Sequence, residues 1–492
     1  MIRLVQLTVL ALSITVDLVA QNVLVQPYIQ PGDGADSMSV IWMTDQTPGD
    51  FIVEYSAKNL PARTVKPELV ALDFTISKRQ AAAKADDESH GKAAVSDAIP
   101  EKEQHYLKYT ALLSGLPGDS MIDYRVKLGS NLVREGAFAS HAGPDQPVRC
   151  VMVGDLAKGN VDQNAIAYQI SRVQPQFLVA LGDVVYPTGR VSQYMDHFWS
   201  TYNQPATTSA ATGAPLMASV LFHTVLGNHD VDTHNLADTP DVLGAYHFFR
   251  APTNGPGEGP WSTPLGTGPG ATVFRSAVGS SYPALGVYSF ENGPAHFLVL
   301  DNSGYANLDA PRLREWMERD LGNSRAPWKF VCCHAPAFHS SREHYTDQKM
   351  RLLVPLFESC GVDIVFSGHV HNYQRSVPVH FQPDAPMRIA GGLVNGVFKL
   401  DKTFDGVGNT HADGVVHIVS GGGGGTLYKG DLAQNAVYFA AKHPGNWSPY
   451  TAKFISDRHS FTVLDLTASR LELRAIDATG EEIDRIVMTK QK

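Results

Sequence analysis

A chemistry can be built outward from Asp183. It follows the apolar run Phe177–Leu181, which Gly182 stops. Its carboxylate is therefore expected at the carboxyl end of a short buried strand, where open α/β sheets place their ligand sites. A carboxylate has two oxygens and can join two cations. Tyr186, three residues on, offers a phenol that a hard trivalent ion would bind as phenolate. The pattern predicts that Asp183 bridges two metals and that Tyr186 belongs to one of them.

Four more predicted strands end in residues of the same kind. Val148–Val153 runs into Gly154-Asp155, Leu221–Leu226 into Gly227-Asn228-His229-Asp230, Phe330–Cys333 into His334, and Val362–Phe366 into Ser367-Gly368-His369-Val370-His371. A parallel-type sheet would bring these ends to one rim, and glycine just before most of them permits a sharp exit. Any one of these endings alone is more often a turn or a satisfied core group. Together they offer carboxylate, phenolate, amide oxygen and imidazole, with no thiolate, which suits hard or borderline ions. Asp155, Asp183, Tyr186 and one histidine would make a site for Fe(III). Asp183, Asn228 and two histidines would make one for Zn, Mn or Fe(II). Two cations sharing Asp183 would sit about 3.5–4 Å apart, able to activate a water and clamp a phosphate between them.

This set resembles the purple acid phosphatases, a branch of the calcineurin-like metallophosphoesterases. The residues that carry the resemblance are Gly154-Asp155, Gly182-Asp183-x-x-Tyr186, Gly227-Asn228-His229-Asp230, Val331-x-x-His334 and Gly368-His369-x-His371. The resemblance implies seven metal ligands. Asp155, Tyr186 and His371 would hold the ferric ion, Asn228, His334 and His369 the divalent ion, and Asp183 would bridge them. It also implies that His229 acts on the substrate. Further substrate-side histidines are expected after the Val-x-x-His strand, where His344 is the better match and His339 its rival. Tyr373 and Arg375, just past the last ligand, read as packing or ion-pair residues. Ala157 stands where the family usually carries Gly. The expected reaction is acid hydrolysis of small phosphate monoesters by a metal-bound hydroxide, with no phosphoenzyme. Phosphodiester or nucleotide pyrophosphate hydrolysis on the same metals is the nearest alternative, and a non-catalytic surface binding protein is the alternative of a different class.

The elements that must position these groups divide the chain. Met1–Ala20, with basic Arg3 and apolar Leu4–Val16, reads as a secretion signal, implying a secreted or periplasmic protein. Residues 21–145 carry short β-prone segments at the spacing of an all-β sandwich, similar to the fibronectin type III-like domain of plant-type family members. A polar insert at Ser77–Glu103 interrupts it. Residues 146–492 alternate apolar runs with helical segments, the signature of a layered α/β domain. The resemblance implies a metallophosphoesterase β-sandwich core flanked by helices. Helices are expected over Pro311–Leu321, with Gly322 after the end, and from a Thr346 cap to Cys360. Thr207–Ser219 and Ala251–Gly270 read as surface loops. Gly421–Gly425 reads as a close-packed turn beside the site. The C-terminal strands are expected to extend the sheet.

Composition narrows the partners. The 492 residues are 43% hydrophobic and 18% charged, ordinary for a globular chain. A net charge of -9 without a dense basic run argues against nucleic acid. No stretch beyond the first 20 residues could span a membrane. The four cysteines, Cys150, Cys332, Cys333 and Cys360, make no disulfide framework and read as small buried hydrophobes, with a Cys150–Cys360 bridge open after export.

Overall fold

In one strand of the N-terminal part, side chains alternate strictly between core and solvent. Along Met121–Leu128, residues Ile122, Tyr124 and Val126 are buried, while Met121, Asp123 and Arg125 are exposed. The computed structural model of the chain describes residues 22–76, 102–203, 207–231, 243–262, 278–279, 281–302 and 306–490. The expected secretion signal and most of the Ser77–Glu103 insert lie outside the described residues.

The first eight strands are β1 (Val23–Pro31), β2 (Ser37–Thr44), β3 (Phe51–Ala57), β4 (Leu60–Val65), β5 (Glu68–Ile76), β6 (Lys102–Ser114), β7 (Met121–Leu128) and β8 (Asn131–Ala139). They form two antiparallel sheets, β1-β2-β6-β5 and β4-β3-β7-β8. Between them lies an aromatic core in which Trp42 stacks on Tyr109 at 5.2 Å. This is the all-β, fibronectin type III-like domain. Its strands β4 and β5 escaped the sequence reading, because Pro61–Thr64 are exposed in one and Leu69 and Val70 lie open in the other, which blurs the alternation.

The remaining strands are β9 (Val148–Val153), β10 (Phe177–Leu181), β11 (Leu221–Val225), β12 (Val287–Asn292), β13 (Ala295–Leu300), β14 (Trp328–Cys333), β15 (Ile364–Ser367), β16 (Tyr373–Ser376), β17 (Val379–Pro383), β18 (Gly396–Leu400), β19 (Val416–Ser420), β20 (Thr451–Ile455), β21 (Ser460–Leu466), β22 (Arg470–Asp477) and β23 (Glu482–Thr489). They do not share one sheet. One sheet runs β11-β10-β9-β21-β22-β23 and the other β12-β13-β14-β15-β19-β16-β20, with β17 and β18 a separate hairpin. The expectation of a single rim is corrected here. Apolar runs buried on both faces look alike whichever sheet they join.

The two sheets bury a common core that includes Cys150, Met152, Phe177, Phe297, Phe330 and Phe366. Helix Val161–Val173 covers the outer face of the first sheet with Ile166, Ala167 and Ile170. Helix Pro311–Asn323 covers the second with Leu313, Met317 and Leu321. The result is a layered α/β fold with a β-sandwich centre. The C-terminal strands extend the first sheet, as expected, through antiparallel pairing of β21 with β9.

Several local expectations change. Gly322 lies inside helix Pro311–Asn323 rather than beyond it. Thr346 caps nothing: a 3-10 turn over Lys349–Leu353 precedes a short helix over Val354–Ser359, whose Pro355 can only begin a helix. Gly361 does stop that segment with a positive φ. Thr207–Ser219 is no open loop, since Ala214 and Leu216–Ala218 are buried at the seam with the N-terminal domain, where Tyr124 donates to the Ala218 carbonyl at 2.9 Å. The described part of Ala251–Gly270 is a surface loop over Thr253, Asn254, Gly257 and Glu258, which are exposed, but Trp261 anchors it, buried and donating to the Gly257 carbonyl at 2.7 Å. All four cysteines are free thiols. Cys332 and Cys333 face opposite cores, as strand neighbours must. Cys150 and Cys360 sit on different layers, so no bridge joins them. No helix among the described residues is long and apolar enough to cross a membrane.

Candidate metal centre

The carboxyl ends of β9, β10 and β11 in one sheet meet those of β14 and β15 in the other. Each strand is a fully or nearly fully buried run, and its polar group comes in the loop just beyond. Loop meets loop through main-chain bonds: the Asp155, Leu156 and Ala157 amides donate to the carbonyls of Gly182, Asp183 and Val184. Asp155, Asp183 and His369 hold left-handed φ values of 62°, 50° and 67°. Non-glycine residues adopt that conformation at a cost, and it clusters at functional sites. In this case it turns each chain sharply off its strand.

The side chains converge. Asp183, His334 and His369 form one cluster and Asp155, Asp183 and His371 another, each with ligand atoms within 4.8 Å of one another. The Tyr186 hydroxyl lies 3.0 Å from Asp155 Oδ1, 3.0 Å from His371 Nε2 and 3.3 Å from Asp183 Oδ2. His334 Nε2 lies 3.2 Å from Asp183 Oδ2 and 3.1 Å from Asn228 Oδ1. All seven residues expected as ligands are thus brought to one place, with Asp183 common to both clusters.

The second atom of each group shows what the first is for. Asp155 Oδ2 accepts from the His369 amide at 2.8 Å, and Asp183 Oδ1 from the His229 amide at 2.8 Å. His334 Nδ1 donates to the Leu181 carbonyl at 2.8 Å and His371 Nδ1 to the Thr426 carbonyl at 2.7 Å. A carbonyl can only accept, so both Nδ1 atoms carry hydrogen and both Nε2 atoms are left with lone pairs in the neutral ring. With the imidazoles neutral, the inward face therefore collects carboxylate, amide and imidazole lone pairs at 3.0–3.3 Å, and without a cation His334 must keep a proton on Nε2 to face Asp183. Such an arrangement is repulsive without cations, and it fits a pair of them. Burial pushes the Asp183 carboxyl up, but the His334 and His229 imidazoles outweigh it and hold the acid well below the usual carboxylate range. Burial likewise pushes His334 down, and Asp183 outweighs it, raising that imidazole to about 10. A cation between the two would take the place of that proton.

His229 donates from Nδ1 to the Pro187 carbonyl at 2.5 Å, leaving Nε2 3.9 Å from Asp183 Oδ2. It is not paired with Asp230. That carboxylate instead accepts from the Gly227 and Val184 amides, both at 2.8 Å, and ties the β11 loop to the β10 loop. His344 packs its ring 4.1 Å from that of His369, and its Nε2 lies 3.1 Å from the Tyr428 hydroxyl. His339 is buried away from this cluster beside Tyr345, and burial, reinforced by Arg351, pushes its imidazole down to about 3. Tyr373 and Arg375 both bond Asp484, at 2.8 and 2.6 Å, so they are the ion-pair and packing residues expected.

The sequence reading missed Tyr428, whose ring stacks on His371 at 4.3 Å and 6°. It belongs to the glycine run's exit. Gly421–Gly425 passes so close to the site that a Cβ at Gly421 would stand 2.8 Å from Asp155 Oδ2, and one at Gly425 would stand 2.8 Å from His371 Cε1. The Gly425 amide donates to the Asp155 carbonyl at 2.8 Å. Glycine is required for this approach, and no spacing rule announces the tyrosine three residues later.

Comparison with known proteins agrees with this geometry. Residues 148–373 match the family model of calcineurin-like phosphoesterases. The chain is 27% identical over 297 residues to purple acid phosphatase 1 of Ipomoea batatas, covering 58% of this chain and 56% of the relative. The chain is similar to the purple acid phosphatases and carries a calcineurin-like phosphoesterase match over residues 148–373. A second relative of this phosphatase-like chain is the Fe(3+)-Zn(2+) purple acid phosphatase 12 of Arabidopsis thaliana, 26% identical over 262 residues, 52% of this chain and 48% of that one. The chain spans about half the length of the curated relatives it matches. Among solved structures, purple acid phosphatase PPD1 from yellow lupin seeds shares the fold with a TM-score of 0.60 at 16% identity, covering 94% of this chain and 74% of that one. PhoD shares it with a TM-score of 0.51 at 12% identity, covering 95% and 93%.

Proposed function

We infer that the chain hydrolyses phosphate monoesters of small molecules at a two-metal centre held by Asp155, Asp183, Tyr186, Asn228, His334, His369 and His371. The observation that carries this reading is the sharing of Asp183 between two clusters of metal-ligating side chains, Asp183 with His334 and His369 and Asp183 with Asp155 and His371. The carboxylate and phenol side, Asp155 with Tyr186 and His371, suits Fe(III). The amide and imidazole side, Asn228 with His334 and His369, suits Zn, Mn or Fe(II). Bound there, the cations would supply Lewis-acid activation of water and neutralise the phosphoryl oxygens.

The chain's own residues do the rest. Asp155 and Asp183 are fixed by the His369 and His229 amides, so each presents one oxygen inward without reorganisation. His229, with Nδ1–H committed to the Pro187 carbonyl, has only Nε2 to offer a phosphoryl oxygen. His344, with Nε2 on the Tyr428 hydroxyl, can hold a proton there for the departing alcohol. The basic start and apolar stretch of residues 1–20 support export to a secreted or periplasmic location.

Metal analysis should find two ions per chain and a visible phenolate-to-iron band. Tyr186→Phe should remove that band, and persistence of the colour would sink the tyrosine assignment. Turnover of p-nitrophenyl phosphate should exceed that of bis(p-nitrophenyl) phosphate. The reverse order would assign the site to diesters.

A further inference from the structure

Each sheet of the central sandwich ends in an edge strand, β11 in one and β12 in the other. Both edges line a cavity of about 370 Å³, which the turn between β1 and β2, Leu116 and His141 close from the N-terminal domain. Phe177 and Leu221 line it at the amino ends of β10 and β11. The metal-ligand loops leave the carboxyl ends of those same strands, so this cavity is separate from the metal centre. Its size and its place between two domains are those of small-molecule sites.

His223 is the unsettled group in its wall. The residue is 4% exposed, and its ring is held by other rings alone, stacked on Phe290 at 3.7 Å and 8° and edge-on to Phe177 at 5.8 Å. Nδ1 is enclosed and has no hydrogen-bond partner. Among the described residues Nε2 has none either, but it is not enclosed. Burial, reinforced by His141, pushes the imidazole down to about 3, so the ring is neutral at ordinary pH and carries one hydrogen. A sealed N–H without an acceptor is costlier than a sealed lone pair. The hydrogen therefore belongs on Nε2, the nitrogen still open to the cavity.

Two more lining groups are left as donors. Gln176 Oε1 accepts from the Arg149 amide at 2.7 Å and Asn292 Oδ1 from the Ala142 amide at 3.0 Å. Each bond fixes which way the side-chain amide faces, and neither NH2 has a partner among the described residues. Asn254 and Ser289, by contrast, satisfy each other. His141 spends Nε2 on the Glu291 carbonyl. Apolar wall comes from Met38, Leu116, Leu221 and Phe290. No lysine or arginine lines the cavity among the described residues, and its carboxylates, Asp33 and Glu291, are exposed. Asp33 already pairs with Arg250 at 2.6 Å. An anion would be desolvated here without a counter-charge. A flat ring with uncharged acceptors suits both the donors and the apolar wall.

We propose that this cavity binds an uncharged, flat ring compound bearing a carbonyl acceptor, through His223 Nε2, Gln176 Nε2 and Asn292 Nδ2. The proposal asks nothing of the metal centre and stands or falls apart from the hydrolase reading.

The test measures affinities by calorimetry on the metal-loaded full chain with three probes. Coumarin carries a ring carbonyl, 2H-chromene is the same ring system without it, and coumarin-3-carboxylate adds a charge. Coumarin should bind about tenfold more tightly than either of the others, the worth of one hydrogen bond. His223→Phe keeps a ring on Phe290 and removes the donor, so it should weaken coumarin about tenfold and leave 2H-chromene unchanged. Gln176→Glu keeps the oxygen that accepts from Arg149 and turns the spare donor into an acceptor. It should weaken coumarin as well, and it guards against a folding failure of the first variant. Leu116→Trp should fill the volume and abolish binding of both uncharged probes. Equal affinity for coumarin and 2H-chromene overturns the proposal, and so does coumarin binding that survives both His223→Phe and Gln176→Glu. A wild type that binds no probe overturns it too, and tighter binding of the carboxylate removes the uncharged class.

Discussion

At the residue scale, the assignments with the clearest consequence concern the outer wall of the centre. His344 has a left-handed φ of 56°, a ring against His369 and Nε2 on the Tyr428 hydroxyl. If it delivers the leaving-group proton, His344→Ala should reduce kcat by about 10²- to 10³-fold for alkyl phosphates, and much less for p-nitrophenyl phosphate, whose leaving group needs no proton. Metal content should be unchanged. Equal losses on both substrates would make His344 a packing residue. The ligand types and most of their strand-end positions were readable from the sequence, because a glycine or a strand terminus precedes each. Tyr428 was not, since its position depends on how a glycine run folds back across the site. The resemblance favoured His344 over His339, but the physical reason for the difference was not in the sequence. Both lie on one loop, and only packing around Arg351, with its bonds to the Ala337 and Asn446 carbonyls, turns His339 inward.

At the scale of elements, strand positions were legible wherever an apolar run ended in a polar turn, as at Val148–Val153 and Phe177–Leu181, whose bounds match the observed strands. Edge and hairpin strands such as β17 and β18 were not, because their burial is incomplete and Val397 stays exposed. The long helices over Val161–Val173 and Leu432–Lys442 also went unread. In each, an Asn or Asp cap is the main signal. Sheet membership was illegible for a different reason: a buried strand's sequence records that it is covered, not by what. The element most open to test is the glycine run. Gly421→Ala would drive a methyl toward Asp155 Oδ2 and the Val370 carbonyl. We expect a loss of about 1–3 kcal/mol in stability and a fall in bound metal. A variant that keeps both stability and two metals would show that the run can move aside.

At the scale of the whole molecule, four histidines outside the metal centre are buried uncharged. Burial pushes His223, His339 and His417 down to about 3, and His247 to about 4. The unfolded chain takes up protons on them below about pH 6.5, whereas the folded chain does not until pH 3 to 4. Their stabilisation is therefore full above pH 6.5 and declines as pH falls through that window, on the order of 1–2 kcal/mol for each at pH 5. Urea unfolding of the metal-loaded protein should show a lower midpoint at pH 5 than at pH 7. His417, whose two ring nitrogens have no hydrogen-bond partner, offers the sharpest check. His417→Phe should narrow the gap between the two midpoints, and an unaltered gap would argue that His417 titrates normally. In acid the folded chain would then keep a diminished margin of stability.

The carboxylates of Asp155 and Asp183 are each gripped by the amide of a residue on another loop of the centre, and Asp230 clasps two loops at once. Such mutual dependence has a bearing on inheritance. A lineage that lost one of these acids would lose the posture of its neighbours in the same step, so descendants should keep the whole set or abandon it together, with few intermediates in between.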